Sequence, residues 1–107
     1  MTTRVLGEFE HQILLAVLRR GSESYSVEVV LELEERTGRE VAPAAVYIAL
    51  RRLQERKLLT SRMSKASDEP SGRARRYFRI QAGAMAALKE SRATFQRLWE
   101  GLEGVLD

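Results

Sequence analysis

Tyr47, Arg51 and Arg52 stand four and five positions apart, so a helix through them brings a phenol and two guanidinium groups onto one side. Pro43, Ala44, Ala45 and Ile48 share that side and leave it narrow and partly apolar. Guanidinium forks bind phosphate oxygens or guanine edges in pairs, a tyrosine hydroxyl donates to a phosphate, and small apolar side chains touch thymine methyls. Some twenty residues on, Arg73, Arg75 and Arg76 form a second cationic group. Between Arg51 and Arg79 ten basic residues meet three acidic ones, whereas the rest of the chain is net acidic and the whole chain carries only +3. Charge placed for solubility would be spread, so this concentration points to a polyanion, of which the phosphate backbone of DNA is the first candidate. A solvated arginine-rich surface is the competing reading.

Other chemistry is scarce. The 107 residues include no cysteine, which removes disulfides, thiolate metal ligands and cysteine nucleophiles, and suits a reducing interior. His11, the sole histidine, lies between Glu10 and Gln12 and has no companion ligands, so no metal site and no cofactor are expected. No nucleophile has a neighbouring base, and no glycine loop is built for phosphates, so no catalytic residue is assigned. The longest apolar run, Ile13 to Leu18, is far too short for a bilayer. Met1-Thr2-Thr3-Arg4 leads directly into an amphipathic pattern, so no secretory leader is expected and a cytoplasmic location follows.

The elements that must hold these side chains can be read from periodicity. Leu6, Phe9, Ile13, Leu14, Val17 and Leu18 recur at helical spacing, and Gly21-Ser22 ends that helix. A second helix is expected from about Tyr25 to Thr37 with Val27, Val30 and Leu31 facing the core, stopped by Gly38. Pro43 opens a third, which runs to about Lys57 and buries Val46, Leu50 and Leu53. The period then changes to two: Leu59, Ser61 and Met63 alternate with their neighbours, as do Arg76, Phe78 and Ile80, predicting two strands. Lys65 to Arg73, rich in Ser, Pro, Gly and charge, reads as a flexible hairpin tip that projects the three arginines together. From Ala82 the helical pattern resumes to the end of the chain, with Leu88, Phe95 and Leu102 in one heptad column and Leu98 and Val105 in the next.

The expected fold is mostly α with a small two-stranded antiparallel β wing. It divides into a winged helix-turn-helix over residues 1–81 and a long dimerisation helix over residues 82–107. Tyr47 either reaches a phosphate or packs beneath the wing. Trp99, the only tryptophan, is either dimer core or, with Phe95, a platform for a flat aromatic effector.

The sequence resembles the PadR family of transcriptional regulators over nearly its whole length. The resemblance rests on Leu6-Gly7-Glu8-Phe9-Glu10, on Tyr25, on Val46-Tyr47-Ile48-Ala49-Leu50-Arg51-Arg52-Leu53, and on the stretch from Gly72 to Ile80. It implies a homodimeric DNA-binding repressor of the compact subclass, with one C-terminal helix forming the dimer and apolar small molecules entering between subunits. Leu6, Phe9, Leu88, Phe95, Leu98, Trp99, Leu102 and Val105 are the interface residues on this reading. An inverted-repeat operator in double-stranded DNA is its partner. Departures from the family pattern include Ala42 where a capping Ser or Thr is frequent, Ser26 and Lys57 where glycine is frequent, and Gln81-Ala82 in place of Thr-Pro. The alternative class is a winged-helix interaction module whose basic face binds an acidic partner protein.

Overall fold

The computed structural model describes residues 5–107; the Met1-Thr2-Thr3-Arg4 segment, read above as feeding straight into the first helix, lies outside the described residues. Helix α1 (Glu8–Arg19) starts where the Gly7 N–H donates to Glu10 Oε1 at 2.9 Å, and it buries Ile13, Leu14, Ala16 and Val17. Gly21 and Ser22, both at positive φ (87° and 73°), turn the chain back. Strand β1 (Glu23–Tyr25) runs into α2 (Ser26–Thr37), which Gly38 ends in the left-handed conformation at φ 71°, its N–H donating to the Glu34 carbonyl at 2.9 Å. Helix α3 (Pro43–Glu55) has Pro at its first position, where no intrahelical N–H is lost.

Beyond α3 come β2 (Leu59–Met63), a short 3-10 turn at Ala66–Asp68, β3 (Arg76–Ile80) and α4 (Ala82–Trp99). The sheet has three antiparallel strands in the order β1-β3-β2, not two, with Ser24 opposite Phe78 and Ser61 opposite Phe78 from the other side. Strand β1 escapes a periodicity reading because three residues with a buried serine at the centre carry no apolar alternation. Phe78, fully buried on the central strand, joins the sheet to the core that also holds Ile13, Leu14, Val46, Leu50 and Leu53.

Two further expectations are corrected. Val27 and Leu31 are more than half exposed, and α2 buries Val29, Val30 and Leu33 instead. Both stripes obey helical spacing, and the one carrying Leu33 faces the core. The last helix stops at Trp99: Gly101 takes φ 83°, its N–H is accepted by the Glu103 carboxylate at 3.1 Å, and residues 103–106 lie in turns. Only Ala84, Ala87 and Leu88 of α4 are buried, so its second half extends past the body of the molecule. The radius of gyration, 15.6 Å, exceeds the ~13 Å of a compact chain of this length for that reason.

Candidate nucleic-acid interface

Helix α3 presents its outer side to solvent because its inner side, Val46, Ala49, Leu50 and Leu53, is committed to the core. Pro43, Ala44, Ala45, Tyr47, Ile48, Arg51 and Arg52 are all exposed. Ala42 supplies no side-chain cap, so the first turn directs unpaired N–H groups outward. Tyr47 packs against the wing and keeps its hydroxyl at the surface. Its ring stands edge-on to Phe78 (centroids 6.1 Å apart, 76° between planes) while its hydroxyl reaches the surface. There it accepts a hydrogen bond from Arg51 Nη1 at 3.1 Å, which turns Arg51 to the phenol. That hydrogen bond, with a further contribution from Arg76 across the wing, holds the Tyr47 phenol below the ordinary tyrosine range despite some desolvation.

Arg76 comes from β3. Its Nη1 donates to Ser61 Oγ at 2.9 Å, and Ser61 Oγ donates to Gln54 Oε1 at 2.9 Å. A chain of hydrogen bonds thereby runs from the wing through β2 into α3, fixing Arg76 relative to the helix that carries Arg51.

At the outer wing the arginines do not project together. Glu69, whose side chain is only 6% exposed, accepts from the Tyr77 hydroxyl at 3.1 Å and pairs with Arg75 Nη1 at 3.3 Å. Burial together with this carboxylate raises the Tyr77 phenol. Arg75 lies over the Tyr25 ring at 4.2 Å, Tyr25 meets Tyr77 edge-on at 5.4 Å, and Arg62 covers Tyr77 at 4.7 Å while bridging to Glu23 at 3.0 Å. The Glu23 hydrogen bond raises Arg62 further. The tip expected to be flexible is thus tied down by one nearly buried carboxylate and a stack of rings and guanidiniums. Of Arg73, Arg75 and Arg76, it is Arg73 whose side chain stays without a partner among the described residues.

Sequence reasoning missed Gln54, Ser61, Glu69 and Tyr25 as members of this face. Ser61 sits at a strand position where the alternation marks only which side it takes, Tyr25 ends a strand too short to show a period, and Glu69 reads as one more charge in a polar loop.

The residues expected at a subunit interface divide in two. Leu6 and Leu88 lie in the protomer's own core and Phe9 is packed against it, whereas Phe95, Leu98, Trp99, Leu102 and Val105 are exposed. Phe95 borders a cleft of about 200 Å3 together with Val5, Leu6, Ala87 and Ser91. Among the described residues no group of His, Cys, Asp and Glu is placed to hold a metal ion, and no helix is long and apolar enough to cross a membrane.

A helix-turn-helix whose last helix stands clear beside a β wing defines the winged-helix class of DNA-binding regulators. The family model for the transcriptional regulator PadR-like family matches residues 14–90, and the chain belongs to that family. That family is one of transcriptional regulators. Among solved structures, a PadR-like transcriptional regulator from Bacillus cereus superposes with a TM-score of 0.73 at 21% identity, covering 92% of this chain and 91% of its own. A PadR family regulator from Eggerthella lenta gives a TM-score of 0.69 at 22% identity, with coverages of 89% and 80%. A winged-helix DNA-binding protein from STIV gives 0.70 at 15% identity, with coverages of 89% and 95%. Among curated proteins none matches the chain.

Proposed function

We propose that the chain is a homodimeric repressor that inserts α3 into the major groove of an inverted-repeat operator and clamps the flanking phosphates with its wing. The observation that carries this reading is the convergence of Arg51 from α3 and Arg76 from β3 on the exposed Tyr47 hydroxyl, which leaves one continuous cationic seam. Tyr47, Arg51 and Arg76 hold the backbone there, Arg73 extends the grip, and Arg52 lies on the same exposed side. Ala44, Ala45 and Ile48, with no donors of their own, read thymine methyls, while the open N–H groups behind Pro43 face a phosphate. Residues 1–81 are the DNA-binding unit and residues 82–107 the dimerisation unit, acting together in the cytoplasm. Two such units place their helices about one turn of duplex apart, ~10 bp. A small aromatic effector between Phe95 and Trp99 of the two subunits would change that spacing and release the DNA.

Fluorescence anisotropy with duplex from upstream of the chain's own gene tests this. Affinity should exceed that for random duplex by at least ~10³ and fall linearly with salt on logarithmic axes. Arg51→Ala and Arg76→Ala should each flatten the salt slope by about one. Binding that ignores salt, or that favours no duplex over another, overturns the proposal. Unchanged Trp99 fluorescence and DNA affinity across a panel of aromatic compounds overturns the effector arm alone.

A further inference from the structure

The two arginines at the start of the central strand face opposite ways. Successive side chains of a strand alternate between its faces. Arg76 shares a face with the buried Phe78 and reaches Ser61, which pairs with Phe78 across the ladder, while Arg75 shares the other face with Tyr77. On that outer face the register sets Tyr25 and Arg62 on either side of Tyr77 in one row. Arg75 begins the next row. Its N–H donates to Ser64 Oγ at 2.9 Å, its guanidinium lies over Tyr25 at 4.2 Å, and its Nη1 meets Glu69 Oε1 at 3.3 Å.

The hairpin tip sets Glu69 in this place. Its N–H closes the 3-10 turn on the Ala66 carbonyl at 3.2 Å, and the Gly72 N–H returns to the Glu69 carbonyl at 2.9 Å, with Gly72 at φ 76°. A carboxylate whose side chain is 6% exposed is costly to leave without a counter-charge, and Arg75 and the Tyr77 hydroxyl satisfy it together. A DNA phosphate that drew Arg75 away would strand that charge.

We infer that Glu69 is a positioning residue that withholds Arg75 from DNA phosphates and so limits the wing's sequence-independent grip, an inference that rests on the DNA-binding function proposed above. The wing then meets the backbone through Arg73 and Arg76, and Arg75 is part of its frame. An exposed carboxylate could not do this, because an exposed pair is screened by salt and exchanges readily for another anion. Without the restraint, each further cation at the tip adds to the binding of any duplex, since phosphate contacts carry no sequence information.

Fluorescence anisotropy on random duplex over a range of salt tests this with three proteins, each checked for cooperative thermal unfolding. In Glu69→Gln the amide still accepts from the Tyr77 hydroxyl but the charge is gone and Arg75 is released. Its salt slope should steepen by about one, and its affinity at physiological salt should rise about fivefold over wild type. The charge-neutral combination of Glu69→Gln with Arg75→Gln replaces the buried pair by two amides, a change folded proteins tolerate. It should bring slope and affinity back to the wild-type values. The inference is overturned if Glu69→Gln leaves the slope where it was, or if the double variant flattens it by about one, which would place Arg75 on a phosphate in the wild type. A wild-type affinity that ignores salt overturns the DNA-binding reading itself, and this inference with it.

Discussion

Leu88 and Trp99 lie about three turns apart on one helix, and their surroundings have nothing in common. Around Leu88, α4 is seated in the core through its buried Ala84 and Ala87 and tied to α1 by the His11–Ser91 hydrogen bond. Around Trp99 the same helix stands free, with Phe95 58% and Leu98 65% exposed. A lone protomer gains nothing from these large apolar groups in water, since each forgoes about 2 kcal/mol of burial. One half of α4 belongs to the protomer's own fold, and the other leaves its apolar side uncovered. An unbroken apolar stripe in the sequence therefore marks what is to be buried without telling against which surface.

The contrast can be broken at either end. Phe78→Ala, at the centre of the locked region, should cost about 4 kcal/mol and lower the thermal midpoint at every protein concentration. Phe95→Asp should leave the cooperative unfolding of the protomer intact but weaken the dimer by about a hundredfold, abolishing the dependence of the midpoint on concentration. A Phe95→Asp protein that fails to fold would show that the free half of α4 is part of the protomer core after all.

Two smaller tests sharpen the account of the locked half. Lys57 sits at φ 63°, a left-handed position at the corner between α3 and β2, where Leu58 N–H donates to the Leu53 carbonyl at 3.0 Å. This is the corner at which glycine is frequent in the family, and a side chain there is strained. Lys57→Gly should stabilise the fold by about 1 kcal/mol in chemical denaturation, without altering dimerisation. Glu10 joins α1 to the end of α3: burial opposes its ionisation, but the Gly7 N–H and the Arg56 bridge at 2.8 Å outweigh that and hold its carboxyl below the ordinary value of 4.5. Because the folded-state value is depressed, the contribution is complete above about pH 4.5 and drains as the pH falls through the lower folded value. Glu10→Gln should remove roughly 1 kcal/mol near neutrality and flatten the acid limb of the stability profile.

How much of this was legible in the sequence follows the physics of each region. Helix α3 and the two wing strands show in the order of residues because each has one wet and one dry side, so period and burial coincide. Strand β1 is too short to have a period, and its partner β3 lies more than fifty residues away. The outer stripe of α2, Val27 and Leu31, mimics the inner one, and only packing against α1 and α3 decides between them. At the candidate interface the exposed arginines were legible as charge, but not which of them are free. Glu69 holds Arg75, a pairing that depends on how the hairpin folds back. The end of α4 was written in Gly101, yet the heptad spacing of Leu102 and Val105 continues past it and masks the stop.

The hydrogen bonds from Gln54 through Ser61 to Arg76 make the wing and α3 a stiff caliper with a set gap. A caliper cannot adapt its jaws, so on the proposed reading the duplex must do the accommodating. Operators would then be sorted partly by how cheaply their steps bend or narrow, including at base pairs no side chain reaches.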